Sequence, residues 1–135
     1  MSTVLVVDDN ADACRMMARL VRRCGHHGAY ATSGAEALAF VRRHEVGLVV
    51  LDNMMPGMDG MAVLNRLRAD PATAALPVVM WSAVADAKFI ETARREGASD
   101  YWVKAAFDYR DLPAMLGRLL PPEGGCHCRW PGSRD

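Results

Sequence analysis

Four apolar runs in this chain end on residues that can do chemistry. Val4-Leu5-Val6-Val7 ends on Asp8-Asp9, Leu48-Val49-Val50-Leu51 on Asp52, Val78-Val79-Met80-Trp81 on Ser82, and Tyr101-Trp102-Val103 on Lys104. A short apolar run bounded by turn signals reads as a strand buried on both faces. In an open α/β sheet, ligands bind outside the carboxyl ends of the strands. If these strands run parallel, three carboxylates, a hydroxyl and an amine converge on one edge. Each alone has an ordinary reading: the Asp pair can cap a following helix, Asp52 and Ser82 can be turn residues, and Lys104 a solvated amine. Their joint placement at successive strand ends argues for a shared site.

Carboxylates do not crowd together unaided. Two like charges about 4 Å apart repel by roughly 4 kcal/mol at an effective dielectric near 20, against a typical domain stability of about 5–15 kcal/mol. Either one takes up a proton or a cation binds. Oxygen donors without His or Cys favour Mg²⁺ over zinc, and Mg²⁺ prefers sites shared with phosphate oxygens. Lys104 and Ser82 then suit phosphoryl oxygens. The residues point to a Mg²⁺-dependent phosphoryl site, with Asp52 as nucleophile and the adjacent Asp8 and Asp9 directed at the metal.

The elements that must position these groups alternate. After the first strand, Cys14, Met17, Val21 and Cys24 recur at helical spacing among Arg15, Arg19, Arg22 and Arg23, and Gly25 closes this amphipathic helix. A weak strand, Ala29-Tyr30-Ala31, precedes a second helix whose Ser33 and Glu36 have capping-box spacing. Arg42, Arg43 and His44 fall in its last turn, where positive charge suits the helix dipole. A third helix is predicted over about 60–69, a fourth over 86–96 stopped by Gly97, and a last over 111–120 with Pro113 in its first turn. Strand–helix alternation repeated five times predicts an α/β domain with a parallel sheet and helices on both faces.

Length and composition suit one domain. The chain is 51% hydrophobic, and its 16 basic and 16 acidic residues cancel. That balance suggests neither a nucleic-acid nor a membrane surface. No run is apolar enough to span a bilayer, and a strand begins almost at once, so a cytoplasmic protein with reduced cysteines is expected. Residues 1–120 form the domain. Residues 121–135 lose the pattern and read as a disordered tail, with Cys126-His127-Cys128 one ligand short of a structural zinc set.

The motifs Val-Leu-Val-Val-Asp-Asp-Asn, Leu-Asp-x-x-Met-Pro-Gly-Met-Asp-Gly, Trp-Ser-Ala and Gly-Ala-Ser-Asp-Tyr-Trp-Val-Lys occur in that order. From about Thr3 to Leu120 the chain resembles a response-regulator receiver domain of two-component signalling. The resemblance implies a flavodoxin-like, five-stranded parallel sheet of order 2-1-3-4-5. It implies a phosphoacceptor switch, not an enzyme acting on a separate substrate. Asp52 would accept a phosphoryl group from a phosphohistidine on a sensor histidine kinase or histidine phosphotransfer protein. Asp8, Asp9, Asp52 and the backbone carbonyl of Met54 would hold Mg²⁺. Lys104 would pair with Asp52 and then with the phosphoryl group. Ser82 would move to bond it, Tyr101 would follow inward, and the face of the fourth helix, fifth strand and fifth helix would change partners. Met54 and Val84 match positions that tune hydrolysis. Both are apolar and unable to orient water, which implies slow self-dephosphorylation.

In this family the lysine is usually followed by a proline on a cis bond, but here by Ala105. A cis non-proline bond costs about 2.5–4 kcal/mol, so a trans bond with a rearranged loop, or a strained exception, is expected. Ala105-Ala106-Phe107 also looks one residue longer than usual. Trp81 and Trp102 are read as core or helix-facing residues, with a ring beside the fifth helix as the sharper possibility. Since no effector domain follows, output is expected through an unknown protein target, with the chain a monomer or phosphorylation-dependent dimer. Two alternatives stay open. A binding-only receiver would act without phosphate. A small Mg²⁺-dependent phosphohydrolase would also use an aspartyl nucleophile, but such enzymes place a second acid two residues on, where Met54 stands. A nucleotide-binding module lacks its glycine-rich loop after the first strand.

Overall fold

The computed structural model describes residues 2–120; the Cys126-His127-Cys128 segment lies outside them. Five strands alternate with five helices: β1 (Thr3–Val7), α1 (Ala11–Arg23), β2 (His27–Ala31), α2 (Gly34–Arg43), β3 (Leu48–Asp52), α3 (Gly60–Ala69), β4 (Val78–Ser82), α4 (Ala87–Arg95), β5 (Asp100–Val103) and α5 (Leu112–Leu119). All neighbouring strands pair in parallel, in the order β2-β1-β3-β4-β5. The anticipated fold and strand order are therefore the observed ones.

Every residue of β3 and β4 is buried, as expected of strands covered on both faces. Alternate side chains feed two cores. Val4, Val6, Val50, Val79, Trp81 and Trp102 pack with Cys14, Met17 and Val21 of α1 and Leu112 and Leu116 of α5. Leu5, Val7, Val49, Leu51, Val78 and Met80 pack with Ala37 and Leu38 of α2, Val63 and Leu64 of α3 and Ala93 of α4. Both tryptophans thus belong to the core, packed against α5, as the core or helix-facing reading expected.

Local differences from the sequence reading have clear causes. The weak second strand runs longer, His27–Ala31, because it pairs with β1 along its whole length. The helix cap after β1 is Asn10, whose side chain accepts from the Asp12 and Ala13 N–H groups. Asp8 and Asp9 are thereby left for other work. Glu36 folds back onto the Thr32 N–H and hydroxyl while Ser33 caps Glu36. The last helix starts at Leu112, after two short 3₁₀ turns, Lys104–Ala106 and Tyr109–Asp111. No cis peptide bond occurs among the described residues, so Lys104–Ala105 is trans, and Lys104–Ala106 forms a 3₁₀ turn.

Candidate functional site

The carboxyl edge of the sheet gathers the predicted groups. β1 and β3 are direct neighbours, Val7 lying beside Leu51, so the residues that follow each strand meet. Carboxylate oxygens of Asp8, Asp9 and Asp52 all lie within 4.8 Å of one another. Asp8 and Asp52 are buried, at 2% and 5% exposure, while Asp9 is exposed. Gly60 helps shape this edge. A Cβ there would lie 2.4 Å from the Asp52 carbonyl oxygen, so only glycine lets α3 begin so close to the end of β3. Asp59 caps that helix by accepting from the Ala62 N–H at 2.9 Å.

Lys104 reaches across from the loop after β5. Its Nζ lies 2.9 Å from Asp8 Oδ2 and 3.5 Å from Asp52 Oδ1. The resemblance implied Asp52 as its partner. In the structure Lys104 bridges both acids and lies closer to Asp8.

The electrostatics follow from this crowding. Burial, reinforced by the Asp8 charge, pushes the Asp52 carboxyl up to about 6, against the opposing pull of Lys104 and the Met54 N–H. Burial alone would lower the Lys104 pKa. The hydrogen bond to Asp8 and the charges of Asp52 and Asp8 outweigh it and raise the pKa, keeping the ammonium protonated. Cys14 donates from Sγ to the Asp8 carbonyl at 3.2 Å, and burial pushes its thiol up to about 11, so it is an inert packing group.

Ser82 ends β4 fully buried, and its Oγ accepts from the Val84 N–H at 3.0 Å. Tyr101, on β5, donates its hydroxyl to the Val84 carbonyl at 2.8 Å and rests edge-on against Phe89. The two anticipated switch residues therefore grip the same residue, Val84, from opposite sides of its backbone. Sequence reading had marked Val84 only for its side chain. Met54 is 63% exposed.

The site has the chemistry to hold a hard cation. It presents oxygen donors, two of them buried carboxylates whose mutual repulsion the Lys104 ammonium partly offsets, and no soft ligand in the cluster. The sequence placed Trp81 beside the site but did not reveal its contact with Lys104. Lys104 Nζ lies over the Trp81 ring, 5.7 Å from its centroid. The available signal was β-strand alternation, which puts Trp81 on the face of the sheet that carries Asp52.

A model of the response regulator receiver domain matches residues 4–116. This chain belongs to that family. Among curated proteins, the transcriptional regulatory protein ZraR of Escherichia coli is 36% identical over 117 residues, covering 87% of this chain and 26% of ZraR. The DNA-binding response regulator MtrA of Mycolicibacterium paratuberculosis is 39% identical over 117 residues, covering 87% of this chain and 50% of MtrA. The chain thus spans a quarter to half the length of these relatives. Among solved structures, Vibrio cholerae chemotaxis protein CheY4 superimposes with a TM-score of 0.82 at 26% identity, covering 89% of this chain and 99% of that one. The Francisella response regulator 1452 receiver domain does so with a TM-score of 0.81 at 27% identity, covering 88% and 96%. The receiver domain is a signalling module of two-component systems, and the strand-edge cluster of this one could bind a metal ion. No helix among its described residues is long and apolar enough to cross a membrane.

Proposed function

We propose that this receiver domain is a phosphoacceptor switch, in which Asp52 takes a phosphoryl group from a phosphohistidine on a sensor histidine kinase or histidine phosphotransfer protein. The observation that carries the reading is a buried strand-end carboxylate within 4.8 Å of two others and 3.5 Å from an ammonium group. An Asp52 oxygen attacks phosphorus, the new O–P bond forms as the P–N bond breaks, and the bond pair leaves with the imidazole. Asp8, Asp9, Asp52 and the Met54 carbonyl would hold Mg²⁺, which supplies positive charge to the phosphoryl oxygens. Lys104 supplies the second positive charge and is ionised in advance, so it takes up no proton during transfer. Ser82 exchanges its Val84 bond for a phosphoryl oxygen. Val84 then shifts, and Tyr101, held to the same backbone, follows. The α4–β5–α5 face changes and with it the protein partners, in a cytoplasmic setting.

The alternatives have less support. A binding-only receiver drew on the Lys104–Ala105 departure, yet Lys104 stands over both acids. A phosphohydrolase would need an acid where the Met54 thioether points to solvent. Mass spectrometry after incubation with a small phosphoryl donor and Mg²⁺ tests the proposal. A single phosphoryl adduct is expected on the wild type and none on Asp52→Asn. An unmodified wild-type protein, with cognate kinase also present, would favour the binding-only reading.

The phosphoryl group should also be long-lived. Neither the Met54 thioether nor the Val84 side chain can orient an attacking water by a strong hydrogen bond. With Mg²⁺ and no phosphatase, the adduct on purified protein should last minutes or longer, and Met54→Asn should shorten it several-fold. A wild-type half-life of seconds would refute this.

A further inference from the structure

We propose that Trp81 is a positioning residue for phosphoryl transfer at Asp52: its indole face is the platform that holds Lys104 over the acids. The inference rests on the phosphoacceptor reading of Asp52. Asp52 and Trp81 lie opposite one another in the sheet, as do Trp81 and Trp102. Paired residues of a parallel sheet project to the same face, so these three side chains stand in a row. Lys104 follows β5, while the acids follow β3 and β1, so its side chain must pass over the end of β4. Trp81 is the last residue of β4 on that face, since Ser82 points the other way.

The distance agrees. Lys104 Nζ is 5.7 Å from the Trp81 ring centroid, within the range of about 6 Å at which an indole attracts an ammonium group. The platform is itself fixed. Trp81 is 4% exposed and meets Trp102 at 6.3 Å, Phe107 at 5.0 Å and Tyr109 at 6.3 Å, all edge-on. Phe107 also stacks on Trp102 at 4.9 Å. Phe107 belongs to the loop after Lys104, so the loop that carries the lysine also braces the Trp81 ring. Ala105 and Ala106 are exposed and restrain nothing. The orientation of a flexible four-carbon side chain thus depends on the ring beneath it. In that orientation the ammonium meets Asp8 and Asp52 together, where a freely rotating lysine would spend most of its time in water.

A merely structural tryptophan predicts something different. Trp81→Phe and Trp81→Leu both shrink the core, and a packing role would make them lose activity in step with stability. The platform role separates them, because Phe keeps a π face and Leu does not. At saturating small phosphoryl donor and Mg²⁺, with folding verified for each protein, Trp81→Phe should retain the phosphorylation rate within about threefold. Trp81→Leu should lose roughly two- to thirtyfold, the range set by a cation–π contact. Trp81→Met, also apolar and without a π face, serves if the Leu variant does not fold. A second readout needs no phosphorylation: in a protein carrying Trp102→Phe and Trp130→Phe, Lys104→Met should change Trp81 emission. Equal losses in the Phe and Leu variants at unequal π character, or Trp81 emission indifferent to Lys104→Met, would overturn the platform. A wild type that takes up no phosphoryl group would instead overturn the phosphoacceptor reading, and the emission change alone would then decide the Lys104–Trp81 contact.

Discussion

Metal-free Asp52→Asn protein should be more stable than wild type above about pH 7, by about 3 kcal/mol. The isolated carboxyl of an aspartate titrates near 3.8, and burial beside Asp8 pushes that of Asp52 up to about 6. The folded state therefore binds this proton more tightly than the unfolded chain does. Between the two values folding takes up a proton, so stability falls as pH rises through that window. Above about pH 6 the full cost of holding Asp52 ionised is present, and a shift of this size corresponds to about 3 kcal/mol. Asparagine is a neutral isostere and carries no such cost, although it gives up the Lys104 contact. Urea unfolding at several pH values checks the idea. Wild type should lose stability between about pH 4 and 7 relative to Asp52→Asn, and the curves should draw together when millimolar Mg²⁺ is added, because a bound dication favours the ionised form. A wild type as stable as Asp52→Asn above pH 7 without metal would show that Lys104 already compensates the acids fully. The functional meaning of the cost is that three crowded carboxylates carry electrostatic tension, which a bound metal ion would relieve.

Arg68→Ala should cost about 3 kcal/mol of stability, roughly 10 °C in Tm, while leaving phosphorylation of Asp52 intact. Arg68 lies in the last turn of α3 and is half-buried. Its Nε and one terminal nitrogen both donate to the Gly97 carbonyl, at 3.0 and 2.8 Å, and the other terminal nitrogen donates to the carbonyls of Leu76 at 2.7 Å and Thr73 at 3.3 Å. One guanidinium therefore joins the end of α3, the loop before β4 and the turn before β5. The Thr73 hydroxyl adds a further bond, donating to the Leu67 carbonyl at 2.7 Å. Burial lowers the Arg68 pKa, yet a guanidinium remains charged at any physiological pH. Hydrogen bonds from a charged donor contribute about 1.5–3 kcal/mol each, and truncation leaves several carbonyls without that donor. Gly97, with φ of +109°, is part of the same arrangement: a Cβ there would lie 2.8 Å from Arg68 Nε. Arg68→Lys should recover little, because an ammonium group cannot reproduce the planar fork. Chemical denaturation measures the loss, and a cost under about 1 kcal/mol would mean that water replaces the guanidinium at these carbonyls. Because the clamp lies at the end of the sheet away from Asp52, the phosphorylation rate separates a stability effect from a site effect.

The acids were legible early because strand-end position is a one-dimensional signal. An apolar run that stops on a carboxylate places that carboxylate at a sheet edge, and strand–helix alternation makes all such edges coincide. Asp8, Asp9 and Asp52 met for that reason alone. The helix caps and stops were equally readable, since Ser33, Gly25 and Gly97 act within a turn of their own backbone. Asn10 escaped notice as a cap only because the adjacent Asp pair drew the same reading.

The linear chain thus carries the alternation of elements, the buried strands, the two-faced core and the convergence of three carboxylates on one edge. Each follows from short-range patterning, where apolar periodicity and capping chemistry act over a few residues. Which partner each functional group takes is settled in three dimensions. Lys104 and Asp8 are 96 residues apart in sequence yet 2.9 Å apart in space. No local propensity distinguishes Asp8 from Asp52 as the nearer acid; the path of the 3₁₀ turn and the ring of Trp81 do. Likewise Ser82 was identified from its strand end and Tyr101 from the family resemblance, but their shared hold on Val84 arises where two strands and a loop come together. Register and side-chain packing across the sheet choose among partners that the linear chain leaves equivalent.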